Sequence, residues 1–168
     1  MVCIILLVLV YNQNIVVKSK EDNSPLTIAD INSNNIIINK LKNVDSSTPI
    51  LSEESLVDWS IRKTWDTYWL IDPLDGTKEF INRNGEFTVN IALMRRTENR
   101  WAPVFGVVHA PASGKTWFGG NQQPAKTIIG QKQTKISVNS ILERPIKLVA
   151  SGSHRSKKDE SFAAALGD

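Results

Sequence analysis

The chain has 168 residues, 41% of them hydrophobic and 22% charged, with a formal net charge of +3. That length allows one domain with a real core, and the composition excludes a disordered or membrane class. The mild charge, without a polybasic block, argues against a nucleic-acid partner and suits an anionic small molecule, while the single Cys3 leaves no internal disulfide, as in a reducing compartment.

Val2 to Val10 is an apolar run too short to span a bilayer. No positive charge precedes it and no small-x-small cleavage pattern follows, so a buried helix or strand start is expected rather than a signal peptide. Ile15 to Lys20 reads as a short strand running into a polar turn, after which Pro25 suits a helix start. From Thr27 to Leu41, the residues Ile28, Ile31, Ile38 and Leu41 recur at helical spacing, with Ile37 beside them. Asp30 falls in the first turns of that helix, where a solvated carboxylate complements the helix dipole. Beyond the polar loop Asn43 to Thr48, Pro49-Ile50-Leu51 reads as a brief strand that ends on Ser52-Glu53-Glu54. It delivers carboxylates at a strand terminus, or opens a loop with a solvated acidic pair. Glu54 to Thr67, with Trp59 and Trp65, is expected as a loop or short helix flanking the site.

Trp69-Leu70-Ile71-Asp72-Pro73-Leu74-Asp75-Gly76-Thr77 is the densest stretch chemically. Tyr68 to Ile71 shows no polar alternation, the pattern of a strand covered on both faces, and Pro73 and Gly76 are expected to stop it. A tight turn there can gather Asp72, the Leu74 carbonyl, Asp75 and the Thr77 hydroxyl, a hard-oxygen set suited to Mg2+. The plainer alternative is a surface turn, for which Asp-Pro and Asp-Gly are ordinary. Asn84-Gly85 signals a hairpin where strands flank it. Phe87, Val89, Ile91 and Leu93 then alternate with Thr88, Asn90, Ala92 and Met94 as in a sheet strand with one buried face. Trp101 to Ala110 and Lys115 to Phe118 continue an antiparallel meander. Exposed loops are expected from Gly119 to Lys135 around a short strand at Thr127 to Ile129, then an edge strand at Ile136 to Val138. Pro145 suggests a lobe boundary. Ile146 to Ala150 reads as a strand, Ser151 to Ser156 as a glycine turn, and Asp159 to Leu166 as a helix. That turn binds an anion or simply caps the helix.

Four separated motifs in order, Pro25-Leu26-Thr27-Ile28-Ala29-Asp30, Leu51-Ser52-Glu53-Glu54, Asp72-Pro73-Leu74-Asp75-Gly76-Thr77-Lys78-Glu79-Phe80 and Asn84-Gly85-Glu86-Phe87-Thr88-Val89-Asn90, resemble the inositol monophosphatase-like superfamily of Mg2+-dependent, lithium-sensitive phosphatases. More narrowly they resemble its 3'(2'),5'-bisphosphate nucleotidase branch. The resemblance implies an α+β fold: the N-terminal lobe of a layered α/β sandwich, with a largely antiparallel sheet flanked by helices. It divides the chain into a metal-binding lobe over 1–145 and the start of a C-terminal α/β lobe over 146–168. Family members carry a further motif with a metal-binding Asp in that second lobe, which this chain lacks. A truncated lobe is expected to expose apolar surface and to self-associate. The resemblance also implies a cytoplasmic location, with peripheral association at the inner membrane as the alternative.

By the same resemblance, Glu53, Asp72, the Leu74 carbonyl and Asp75 hold two or three Mg2+ ions, with Glu54 nearby. Thr77, oriented by Asp30, helps position and deprotonate a metal-activated water, and Glu53 is catalytic as well as a metal ligand. Leu74, Asp75, Gly76 and Thr77 meet the phosphate, and Ser151 and His154 match positions that touch the nucleotide, although Gly152 stands where an Arg is usual. The implied substrate is adenosine 3',5'-bisphosphate, cleaved to AMP and phosphate. An inositol phosphate phosphatase is the nearest alternative, and a catalytically inactive metal- or nucleotide-binding remnant is the alternative of a different class.

Overall fold

The computed structural model describes residues 17–19, 25–98, 100–141, 149 and 156–165. The N-terminal apolar run, the strand expected at Ile146 to Ala150 apart from Val149, and the Ser151 and His154 turn lie outside them, as does Pro145. The chain divides after Ile136 into two compact units. Among the described residues, the second unit contributes one helix, Lys157–Ala165 (α4).

In the first unit, β1 (Val17–Ser19) and β2 (Pro25–Thr27) form an antiparallel pair. Pro25 therefore opens a strand, not a helix. Helix α1 (Ile28–Val44) follows directly. The main sheet has seven strands in the order β3 (Ile50–Ser52), β4 (Thr67–Asp75), β5 (Thr88–Arg96), β6 (Trp101–Ala110), β7 (Lys115–Gly120), β8 (Gln123–Ile129) and β9 (Lys132–Lys135). Only β3 and β4 pair in parallel, and the rest is an antiparallel meander. Two short helices, α2 (Trp59–Arg62) and α3 (Thr77–Ile81), flank β4 in sequence. The expected edge strand at Ile136 to Val138 is replaced by β9, whose Lys132 and Lys135 sit on an exposed edge where charge discourages further pairing.

One face of the sheet packs against α1. The core there comprises Ala29, Ile37, Ile71, Leu74, Phe80, Phe87 and Val89. Phe80 and Phe87 meet edge to face with centroids 5.0 Å apart, an arrangement contributing about 1 kcal/mol beyond area burial. The apolar stripe expected on α1 is not the face that is buried. Ile28 and Ile31 are exposed, whereas Ala29, Asp30, Ser33, Asn34 and Ile37 are covered. The reason is polar pairing beneath the helix. Ser33 Oγ donates to the Pro73 carbonyl at 2.8 Å, and Asn34 Oδ1 accepts from Ser52 Oγ at 2.7 Å. Burying these groups is tolerable because each finds a partner.

The opposite sheet face is less covered. Leu70 is 38% exposed and Val108 40%, so β4 is not the doubly buried strand that its composition suggests. At one end, Trp59, Tyr68 and Trp101 stack edge to face. Arg96 lies 4.8 Å over the Trp101 ring, and Trp101 Nε1 donates to the Trp65 carbonyl. No helix among the described residues is long and apolar enough to cross a membrane.

Candidate metal and phosphate site

The β4 strand does not stop at Pro73. It runs to Asp75, but its pairing with β5 shifts: Asp72 faces Asn90 and Asp75 faces Thr88. Three steps on β4 therefore match two on β5, which is a β-bulge. Residues 72 and 75 would point to opposite faces of a regular strand. Their partners 88 and 90 share one face, so the extra residue brings both aspartates to the same side. Pro73 removes a ladder donor at the irregularity, and its buried carbonyl is taken up by Ser33. The turn expected from the sequence is thus a bulge within a strand.

Glu53 enters from the end of β3. Its N–H donates to the Ile71 carbonyl at 3.2 Å, continuing the parallel β3–β4 ladder, so its Cα is fixed beside Asp72. Burial first, then the negative charges of Glu53 and Asp75, push the Asp72 carboxyl up to about 7. The Leu74 N–H bonded to Asp72 Oδ1 at 3.2 Å offsets only part of this. Asp72 therefore lies close enough to Glu53 and Asp75 to feel both charges, and carboxylate oxygens are hard donors of the kind a divalent cation such as Mg2+ prefers. Among the described residues, no three His, Cys, Asp or Glu side chains close into a preformed cage.

After Asp75, Gly76 takes φ +90°, a left-handed conformation natural to glycine, and starts α3. A Cβ there would lie 2.9 Å from the Glu86 carbonyl oxygen and 3.3 Å from Phe87 Cα. Residues 84–87 are thereby packed behind the turn. Asn84-Gly85 is therefore not a hairpin turn: α3 stands on its N-terminal side. Thr77 Oγ1 lies 3.2 Å from Asp30 Oδ1 and 3.3 Å from the Leu74 carbonyl, so its single proton serves either acceptor. Asp30 is 1% exposed, far from the solvated helix-dipole role open to it by sequence.

The structure therefore brings Asp30, Glu53, Asp72, Leu74, Asp75, Gly76 and Thr77 together, while Ser151 and His154 lie outside the described residues. Thr88 and Asn90, absent from the residues that the sequence singles out, also stand beside Asp75. Thr88 Oγ1 and Asn90 Nδ2 lie 3.4 and 2.9 Å from Asp75 Oδ2. Two polar residues at i and i+2, on the face of β5 opposite its buried Val89, are the available signal. From Glu53 and Asp72 a cleft of about 1110 Å³ extends past Leu70, Val108 and Trp117, with Trp59 and Arg62 of α2 along one side. The segment expected to flank the site does so.

Residues 4–166 match the model of the inositol monophosphatase family. The chain is 41% identical over 152 residues to the 3'(2'),5'-bisphosphate nucleotidase CysQ of Escherichia coli (strain K12), an alignment covering 90% of this chain and 59% of that protein. Among solved structures, it resembles CysQ from Bacteroides thetaiotaomicron, a bacterial member of the inositol monophosphatase family. The TM-score is 0.73 at 34% identity, covering 98% of this chain and 64% of the other. Thermotoga maritima IMPase gives a TM-score of 0.66 at 25% identity, covering 84% and 52%. The chain thus spans about three fifths of the length of the curated relative, and it belongs to the inositol monophosphatase family.

Proposed function

We propose that the chain takes part in Mg2+-dependent hydrolysis of a phosphate monoester, with adenosine 3',5'-bisphosphate as substrate and AMP and phosphate as products. The observation that carries this reading is the convergence of Glu53, Asp72 and Asp75 beside a Thr77 hydroxyl tied to buried Asp30. The nucleotide substrate is supported by the 41% identity to a bisphosphate nucleotidase. Glu53, Asp72, Asp75 and the Leu74 carbonyl would hold the cations, two or three in number. When bound, these neutralise phosphate charge and make water a stronger nucleophile. Thr77, donating to Asp30, turns its lone pairs outward and accepts a hydrogen bond from the attacking water, fixing its line of approach. Asp30 keeps that hydroxyl oriented and supplies the negative charge toward which the proton moves. The Gly76 and Thr77 N–H groups meet phosphate oxygens, presented by the turn that left-handed Gly76 shapes.

Self-association is also proposed, supported by the exposure of Leu70 and Val108 on one sheet face. A monodisperse monomer in sedimentation velocity would count against it. The direct test of the metal assignment is Asp72→Asn: Mg2+-dependent phosphate release should fall at least about a hundredfold, since ligand charge sets cation affinity. Undiminished release would remove Asp72 from the site.

A further inference from the structure

On β5, Thr88 and Asn90 are the polar half of an alternating strand, and the bulge in β4 gives them a specific neighbour. Asn90 Nδ2 donates to Asp75 Oδ2 at 2.9 Å, while Asn90 Oδ1 accepts from Thr88 Oγ1 at 3.1 Å. Thr88 Oγ1 also stands 3.4 Å from Asp75 Oδ2, but its one proton favours the shorter contact with the amide. The three groups therefore form a directed relay, hydroxyl to amide to carboxylate. The Thr88 donor fixes which end of the amide faces Asp75. Without that relay, exposed Asp75 would sample several rotamers.

We infer that Asn90 and Thr88 are positioning residues for Asp75: they engage one carboxylate oxygen, Oδ2, and leave Oδ1 for the volume shared with Asp72 and Glu53. This rests on the metal-site reading of those three carboxylates. A neutral donor is the appropriate group at position 90, because it orients Asp75 without adding a fourth negative charge where Asp72 is already crowded by two. Hydrogen-bond partners of carboxylate ligands fix ligand direction, and their loss typically weakens metal binding by about ten- to a hundredfold.

The test is Mn2+ and Mg2+ binding to the 168-residue chain by titration calorimetry, with thermal midpoints measured in parallel. Asn90→Leu, close in shape but without the donor, should weaken binding at least about tenfold with the fold retained. Thr88→Val, acting through Asn90, should weaken it a few-fold, and Thr88→Ser should restore it. Asn90→Leu affinity within twofold of the parent would overturn the inference. So would a fall in thermal midpoint with no change in affinity, the mark of a merely structural role. If Asn90→Leu fails to fold, Thr88→Val against Thr88→Ser decides the matter by the same criterion. Asp72→Asn separates the two levels. If it abolishes binding and the β5 variants do not weaken it, the positioning role alone fails. If it leaves binding unchanged, or the parent binds neither ion, the metal-site reading fails and the inference with it.

Discussion

Thr77 Oγ1 at the start of α3 and Asp30 Oδ1 in the first turn of α1, 47 positions apart in the chain, meet at 3.2 Å. The pairing joins a nearly solvent-free carboxylate to a hydroxyl at the edge of the carboxylate cluster. Removing the hydroxyl by Thr77→Val keeps the volume and is expected to lower kcat by about 10²- to 10⁴-fold, the usual contribution of a positioned acid–base group. Mg2+ affinity should change little, because Thr77 is not proposed as a cation ligand. Asp30→Asn should lower kcat in the same range. Steady-state kinetics beside Mg2+ titrations check both, and equal losses in kcat and in Mg2+ affinity would place Thr77 among the ligands instead.

Gly76 offers a stability test that does not depend on activity. Gly76→Ala imposes a left-handed conformation on a side-chain-bearing residue and drives its Cβ to 2.9 Å from the Glu86 carbonyl. Gly114 also has positive φ, at +66°, but a Cβ there meets nothing within 4 Å. Gly114→Ala should therefore cost only backbone strain, about 1 kcal/mol, and Gly76→Ala distinctly more. Urea unfolding of the two variants checks the order, and equal destabilisation would show that residues 84–87 yield freely.

His109 supplies the pH dependence. It is buried on β6, with Nδ1 2.8 Å from Thr116 Oγ1 and Nε2 without a hydrogen-bond partner among the described residues. Burial holds its pKa below the ordinary 6.5. A depressed folded-state pKa means that the folded protein binds the proton less readily than the unfolded chain. The stability this provides is complete above pH 6.5 and is lost as pH falls through the folded value. His109→Gln should flatten that fall between about pH 7.5 and 5 in thermal denaturation. Carboxylates titrating in the same range, Asp72 among them, are common to both proteins and cancel in the difference. Parallel stability curves for the two proteins would contradict the assignment.

Much of the architecture is legible in local pattern. Phe87, Val89, Ile91 and Leu93 recurring at every second position, and the β-branched and aromatic Trp101 to Ala110 run, mark β5 and β6. The Ser52-Glu53-Glu54 and Asp72 to Thr77 stretches announce their chemistry through donor type and glycine placement. What the sequence conceals depends on partners distant in the chain. Ser33 and Asn34 look solvent-facing until Pro73 and Ser52 supply their hydrogen bonds, so the buried side of α1 does not follow its isoleucines. Pro73 reads as a strand stop, yet a bulge accommodates it. That same bulge alone makes Thr88 and Asn90 neighbours of Asp75, and no spacing rule within β5 encodes it.

The most direct measurement is phosphate release from adenosine 3',5'-bisphosphate by the purified, folded 168-residue chain with Mg2+, with and without lithium. Mg2+-dependent release that lithium suppresses is the expected result, and it would show that the residues of this chain suffice for turnover. No release above the uncatalysed rate, from protein shown by circular dichroism to be folded and by calorimetry to bind Mg2+, would contradict the proposed activity and leave the chain as a metal-binding lobe.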